Sequence, residues 1–189
     1  METKKIVTTV LASDFNINVG LKRWLDDMHI WPNIKIDRHD VPSARNSAVV
    51  DFLEGDGTHL LMIDNSVWPL ADARVVFERP EDVVYMGHCA TGGHIAHLGD
   101  GNLGCAFTRY SRIALESVEP PWFAYVHDAT GSEMVKCECM YLRDKLKSAG
   151  YDTFMVGTIF HNVNLLERPL ADGTGVEAVT KKHFLREFS

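Results

Sequence analysis

The sequence predicts a single α/β domain with a mostly parallel central sheet flanked by helices, and three observations carry that prediction. Aliphatic and β-branched runs at residues 6–10, 60–63 and 83–86 alternate with amphipathic helical stretches, an order that implies parallel strands joined by right-handed crossovers. The run from Leu60 to Ile63 is continuously apolar, as a strand covered on both faces is. A chain of 189 residues, 46% apolar and 24% charged, fits one domain with an adequate core and would be cramped as two.

The elements follow in order. Lys5 to Leu11, with Ile6, Val7, Thr8, Thr9 and Val10, reads as a central strand that enters a polar loop at Ala12, Ser13 and Asp14. Ile17, Leu21, Trp24, Leu25 and Met28 recur at helical spacing, with Pro32 ending the helix, and Ile34 to Asp37 forms a second short strand leading into Arg38, His39 and Asp40. A helix over 45–54 carries Ala48, Val49, Phe52 and Leu53 on one face, and Gly55, Asp56 and Gly57 end it before the Leu60–Ile63 strand. Val83 to Gly87 is the next strand. Residues 87–104, rich in glycine and holding His88, His94 and His97, read as a loop or hairpin that is flexible without ligand. A strand over 104–109 and a helix over 111–117 precede Pro120 and Pro121, which force an extended turn bearing Trp122 and Phe123. Cys139, Leu142, Leu146 and Ala149 mark the last clear helix, with Gly150 suited to its left-handed cap. Tyr151 to Phe160 is the final strand; residues 1–162 form the domain and 163–189 a tail or lid.

Composition narrows the function classes. A formal net charge of −7 disfavours a broad nucleic-acid footprint, because that affinity comes mainly from neutralising phosphates. Lys181, Lys182, His183 and Arg186 are the compact basic cluster that remains. Cys89, Cys105, Cys137 and Cys139 include a C-x-C pair unsuited to bridging itself, so reduced thiols and a cytoplasmic location are expected. Neither a signal-peptide core nor an apolar bilayer span is evident, and no membrane partner is expected.

In open α/β sheets, ligands gather at the carboxyl ends of the strands. Ala12 to Asp14, Asp40 and Asp64 should therefore share one rim. The block from Ala44 to Pro69, with Arg45 and Asn46 opening a helix and the apolar strand delivering Asp64, Asn65 and Ser66, resembles the GT-A nucleotide-sugar glycosyltransferases, especially short family-2-like enzymes of phage type. The likeness continues through Gly104 to Arg109, Pro121 to Phe123, Glu138 and Cys139 before Tyr141 and Leu142, Ala149 to Tyr151, and His161, in order, over roughly residues 5–162. Asp64 keeps the first acid of the family's acidic motif, while Ser66 stands where its last acid would be.

The resemblance implies a GT-A, Rossmann-like domain that moves a sugar from a nucleotide donor, UDP-sugar favoured, to a hydroxyl acceptor with Mn²⁺ or Mg²⁺ assistance. Asp64 would anchor the metal-bound diphosphate, with Ser66 and His161 as further metal contacts, and the neutral oxygens of Asn65 and Ser66 would make that site weak or water-rich. Ala12 and Asp14 would line the nucleoside pocket, Asp40 would accept from the base edge, and Arg45 would contact the diphosphate or nucleotide. Glu138, where the family's carboxylate pair begins, would be the acceptor-activating base, with Asp128 and Glu133 in reserve. Trp122 would stack on the acceptor.

Each role has a structural counterpart that the sequence leaves open. Asp64 could cap a turn, Glu138 complement a helix dipole, Arg45 sit in a first helical turn, His161 merely end a strand, and Trp122 belong to the core. The acceptor, a modified base in phage DNA, a glycan or a protein, is unwritten in the sequence, and a catalytically inactive nucleotide- or sugar-binding protein of the same fold is the alternative. His88, Cys89, His94 and His97 invite zinc but lack the spacing of a finger or of a zinc protease. No P-loop, nucleophile elbow or dinucleotide glycine fingerprint is present.

Overall fold

The computed structural model describes residues 4–13, 17–36, 40–69, 71–90, 101–161, 167–169 and 176–178, with side chains left undescribed at 71–72, 88–90, 160–161 and in the last two segments. It is an α/β fold around a six-stranded sheet. The strands are β1 (Ile6–Ala12), β2 (Asn33–Ile36), β3 (His59–Asp64), β4 (Val83–Ala90), β5 (Phe107–Ser111) and β8 (Phe154–His161). Their order across the sheet is β2-β1-β3-β5-β4-β8. β1 pairs in parallel with β2 and β3, and β4 with β8, while β5 runs against both its neighbours. The carboxyl ends of β1, β2, β3, β4 and β8 therefore lie along one edge, where β5 begins. Two short antiparallel hairpins, β6 (Val126–His127) with β7 (Met134–Lys136) and β9 (Glu167–Pro169) with β10 (Val176–Ala178), stand outside the sheet.

Both faces of the sheet are apolar, so its strands carry side chains alternately into two cores. Leu60 and Met62 of β3 pack on one side; Leu61 and Ile63 pack on the other. The first core takes helices α2 (Val41–Glu54), α4 (Arg112–Glu116) and α5 (Glu138–Ser148), with Trp122 and Phe123. The second takes α1 (Val19–Asp27) and α3 (Val75–Glu78), the latter preceded by a 3₁₀ turn at Ala71–Arg74. Burial on both faces explains why these strands read as unbroken apolar runs.

Local chemistry sets the helix ends. Asn18 caps α1, its side chain accepting from Gly20 and Leu21 N–H, and Asp40 caps α2, accepting from Ser43 N–H at 3.1 Å. Pro42 then occupies the first turn, where its missing N–H is harmless. Sequence periodicity placed the start of this helix at 45; the Asp40–Pro42 pair starts it a turn earlier. At its far end Arg112 donates to the Phe52, Leu53, Gly55 and Gly57 carbonyls, taking up acceptors that a helix end leaves open. Gly150, at φ +89, follows α5 as its spacing predicted. The expected strand over 104–109 forms later, at Phe107–Ser111, because residues 104–106 run along the rim before pairing starts.

No helix among the described residues is long and apolar enough to cross a membrane. The expected ligand-ordered loop lies mostly outside the described residues, as do His94, His97 and the basic cluster from Lys181 to Arg186. Of that stretch, residues 87–90 belong to β4.

Candidate functional site

The rim's chemistry is organised by one buried arginine. Arg45 projects from the second turn of α2 and is 1% exposed. Its Nη2 donates to Asp64 Oδ1 at 2.7 Å and its Nη1 to the Cys105 carbonyl at 3.1 Å. Its Nε lies 3.7 Å from Glu138 Oε1 and has no hydrogen-bond partner of its own. The guanidinium also sits 5.7 Å from the centroid of the Phe123 ring. Burial alone would push its pKa down, but Asp64 and then Cys105, Cys139 and Glu138 outweigh that, so the charged form is held more firmly than in water.

Sequence-distant acids thus meet across a single cation. Asp64 arrives at the end of β3, whose last register partner is Leu11 of β1; Asp64 N–H donates to the Ala106 carbonyl at 2.8 Å. Glu138 opens α5. The side chains of Asp64 and Glu138 are 20% and 12% exposed, so each combines a buried counter-charge with an opening to solvent. Ala12 ends β1, buried, one residue past the Leu11 that pairs with Asp64.

Several expected roles change on this geometry. Arg45 is not a rim donor facing a diphosphate, because its burial and its bonds to Asp64 and Cys105 commit it to holding the site together. Trp122 is not an acceptor platform: it is 7% exposed and its indole N–H is spent on the Leu115 carbonyl at 2.9 Å, so it is core. Asp40 serves α2 as its cap. Asn65 fastens the loop before α1, its Oδ1 accepting from Asn18 N–H at 2.8 Å. Ser66 lies in the turn closed by Val67 N–H on the Asp64 carbonyl at 3.1 Å. His161 ends β8 on the same edge, three strand positions from β3, and its side chain is outside the described atoms, as is Asp14.

The reserve acids are elsewhere engaged. Asp128 accepts from Thr130, Ser132 and Glu133 within the β6–β7 turn, bonds that pull its carboxyl below the usual range. Glu133 is an exposed residue of that turn.

Two features were not anticipated. Tyr125, 40% exposed, has its phenol pushed up by burial and then by the Glu138 charge, with Arg45, Cys139 and Asp40 acting more weakly. It is the aromatic whose phenol feels the Glu138 charge, three residues beyond Trp122. Asn46 secures that approach: its side chain accepts from Trp122 and Phe123 N–H at 2.9 and 3.0 Å and donates to the Phe123 carbonyl at 2.8 Å. The Arg-Asn pair was visible as a pair; its targets lie near residue 64 and near residue 123, a separation that local pattern does not reveal.

A groove of about 500 Å³ lies on the outer side of α5, lined by Ser117, Val118, Lys136, Tyr141, Asp144 and Lys145. It contains neither Asp64 nor Glu138. The rim is the better site on chemistry, since it joins two carboxylates to a buried cation.

Neither family models nor curated proteins match this chain. Among solved structures it is similar to the viral protein A197 from STIV, with a TM-score of 0.67 and 20% identity over 93% of this chain and 94% of that one. At that identity the likeness shows the fold.

Proposed function

We propose that this protein is a glycosyltransferase that moves a sugar from a nucleotide-sugar donor, UDP-sugar favoured, to a hydroxyl acceptor. The observation that carries the reading is the pairing of Asp64 and Glu138 on Arg45, at the carboxyl edge of the sheet where open α/β folds bind ligands. Asp64 serves the donor side and Glu138 the acceptor side.

On this reading a Mn²⁺ or Mg²⁺ ion would be held on the donor side. Cations of this kind are bound by one or two carboxylates together with the substrate's phosphates. Asp64 and the Ser66 hydroxyl offer such a partial oxygen set, and the ion, when bound, would stabilise charge on the departing diphosphate. Glu138 accepts the proton of the acceptor hydroxyl as that oxygen attacks the anomeric carbon. Arg45 keeps both carboxylates oriented, and Tyr125 supplies an aromatic face on which an acceptor ring can rest. The acceptor is a modified base of phage DNA, a glycan or a protein, and the reaction takes place in a cytoplasm, that of the host if the chain is viral.

Two observations favour a second reading, an inactive nucleotide- or sugar-binding protein. Asn65, next to the anchoring acid, is committed to the Asn18 backbone, and Asp64 already has Arg45 as counter-charge. Incubation with UDP-, GDP- and CDP-sugars and Mn²⁺ decides between them. Turnover that falls by about two to four decades in Glu138→Gln, with donor binding retained, supports the enzyme. Binding without turnover in the native protein establishes the alternative, and no binding of any donor removes both.

A further inference from the structure

We infer that Cys137, Glu138 and Cys139 form a site for a thiophilic divalent cation, with Zn²⁺ the fitting ion, and that filling it takes Glu138 out of the reaction. The site itself stands on geometry; the inhibitory consequence rests on the function proposed above.

The ligand atoms of the three residues all lie within 4.8 Å of one another. Zinc bound tetrahedrally by sulfur at about 2.3 Å and carboxylate oxygen at about 2.0 Å has S···O edges of about 3.5 Å and S···S edges of about 3.8 Å. Cys139 Sγ and Glu138 Oε1 are already 3.5 Å apart. From the 4.8 Å bound, the S···S edge needs to close by no more than about 1 Å and the remaining S···O edge by no more than about 1.3 Å to reach those lengths. Three consecutive residues can converge because the backbone changes course there: Cys137 is extended, at φ −74 and ψ 168, and α5 begins at Glu138.

The surroundings are those of a ligand set. Cys105 N–H donates to Cys139 Sγ at 3.4 Å, and the Cys139 thiol donates to Glu138 Oε1 at 3.5 Å. Arg45 Nε, fully buried and without a hydrogen-bond partner, lies 3.7 Å from Glu138 Oε1. A donor waiting behind a carboxylate in this way is the outer-shell support that metal-bound carboxylates receive. Cys137 is half-buried, which gives an ion a way in.

Charge balances as well. Arg45, Asp64 and Glu138 together carry one net negative charge. Binding Zn²⁺ releases the two thiol protons of Cys137 and Cys139 to solvent, so the cluster keeps that charge and no uncompensated ion is buried. Nothing is oxidised or reduced. The sulfur pair selects zinc over Mg²⁺ and Mn²⁺, which prefer oxygen, so this ion differs in kind from the one carried by a diphosphate at Asp64.

The test is titration of the reduced, metal-stripped full chain with Co²⁺, read by sulfur-to-cobalt charge-transfer absorption in the near ultraviolet, followed by displacement with Zn²⁺. We expect stoichiometric absorption that zinc abolishes. Cys137→Ser, at a half-buried position where folding is readily checked by circular dichroism, should weaken zinc binding by more than about tenfold. Absence of the charge-transfer band in the native chain, or unchanged zinc affinity in folded Cys137→Ser, overturns the site. In the transfer assay with saturating Mn²⁺, the zinc concentration that halves each protein's own rate should rise in Cys137→Ser by the factor seen in binding. Zinc binding without inhibition overturns the consequence. If no transfer is found, the enzyme reading and the inhibition fall together, while the titration still decides the site.

Discussion

Replacing Arg45 with Met tests whether one buried guanidinium holds this rim together. At an effective dielectric near 20, the charge attracts Asp64 at 2.7 Å with about 6 kcal/mol and Glu138 at 3.7 Å with about 4.5 kcal/mol. Those gross figures are mostly offset by the desolvation of the three ions. What the variant reads is the penalty for leaving partly buried carboxylates without their counter-charge, about 3–5 kcal/mol for a buried pair. Exposures of 20% and 12% let water reach both carboxylates, which favours the lower end of that range. Losing the bond to the Cys105 carbonyl adds about 1 kcal/mol. The expected loss is thus about 4 kcal/mol, a large share of the roughly 5–15 kcal/mol that holds a domain folded.

Urea unfolding of the native chain, Arg45→Met, Asp64→Asn and the double variant measures this directly. Because Asp64→Asn removes one of the stranded charges, the double variant should be more stable than the sum of the single losses implies, by about 1–3 kcal/mol. A loss below about 1 kcal/mol in Arg45→Met, or strict additivity in the double variant, would refute the claim that these groups act through a shared buried charge.

Three further outcomes are expected. Arg112→Ala should cost about 2–4 kcal/mol, since its charge-assisted bonds to the carbonyls at the end of α2 disappear together; an effect within about 0.5 kcal/mol in urea unfolding would assign those bonds no weight. Asn46→Ala should destabilise by about 2–3 kcal/mol and raise amide exchange at Trp122 and Phe123, whose N–H groups it holds; unchanged exchange at both would contradict it. His59, its pKa pushed down to about 4 by burial and then by Arg109 and Lys4, binds its proton more readily unfolded than folded. Its contribution is therefore complete above about pH 6.5 and is lost as pH falls toward 4, about 1 kcal/mol once solvent screening of this half-buried ring is allowed for. Replacing His59 with Gln should flatten the stability profile across that window, and an identical profile would exclude the residue.

The sheet was legible because its strands are covered on both faces, so apolar runs with turn residues between them sufficed to place β1, β3 and β4. The antiparallel course of β5 was not, because Phe107–Ser111 carries the same buried pattern whichever way the chain enters. α3 was missed for a different reason: Val75–Glu78 is a single turn, too short to show a period. The β6–β7 hairpin was missed because Met134 and Val135 are exposed, against the pattern of a half-buried strand.

Within the site, the acids at Asp64 and Glu138 were readable because each follows a local signal, the end of a buried strand and the start of a helix. Arg45 was readable as a charge but not as a buried one. A sequence shows that an arginine stands in an early turn of a helix; it does not show that a strand ending in an aspartate, a rim carbonyl and a second helix opening with a glutamate all close upon it. Tyr125 and Trp122 differ for the same reason. They are aromatics of one short segment, yet the tryptophan is buried with its indole N–H on the Leu115 carbonyl and the tyrosine stays exposed, while Asn46 holds the backbone at 122 and 123. It follows that the geometry of this rim is written in the pairing of Arg45 and Asn46. One residue pairs with the acids and its neighbour holds the backbone at 122 and 123, so exchanging the two should destabilise the rim and raise amide exchange at Trp122 and Phe123 together, and native stability with native exchange in the exchanged variant would refute this.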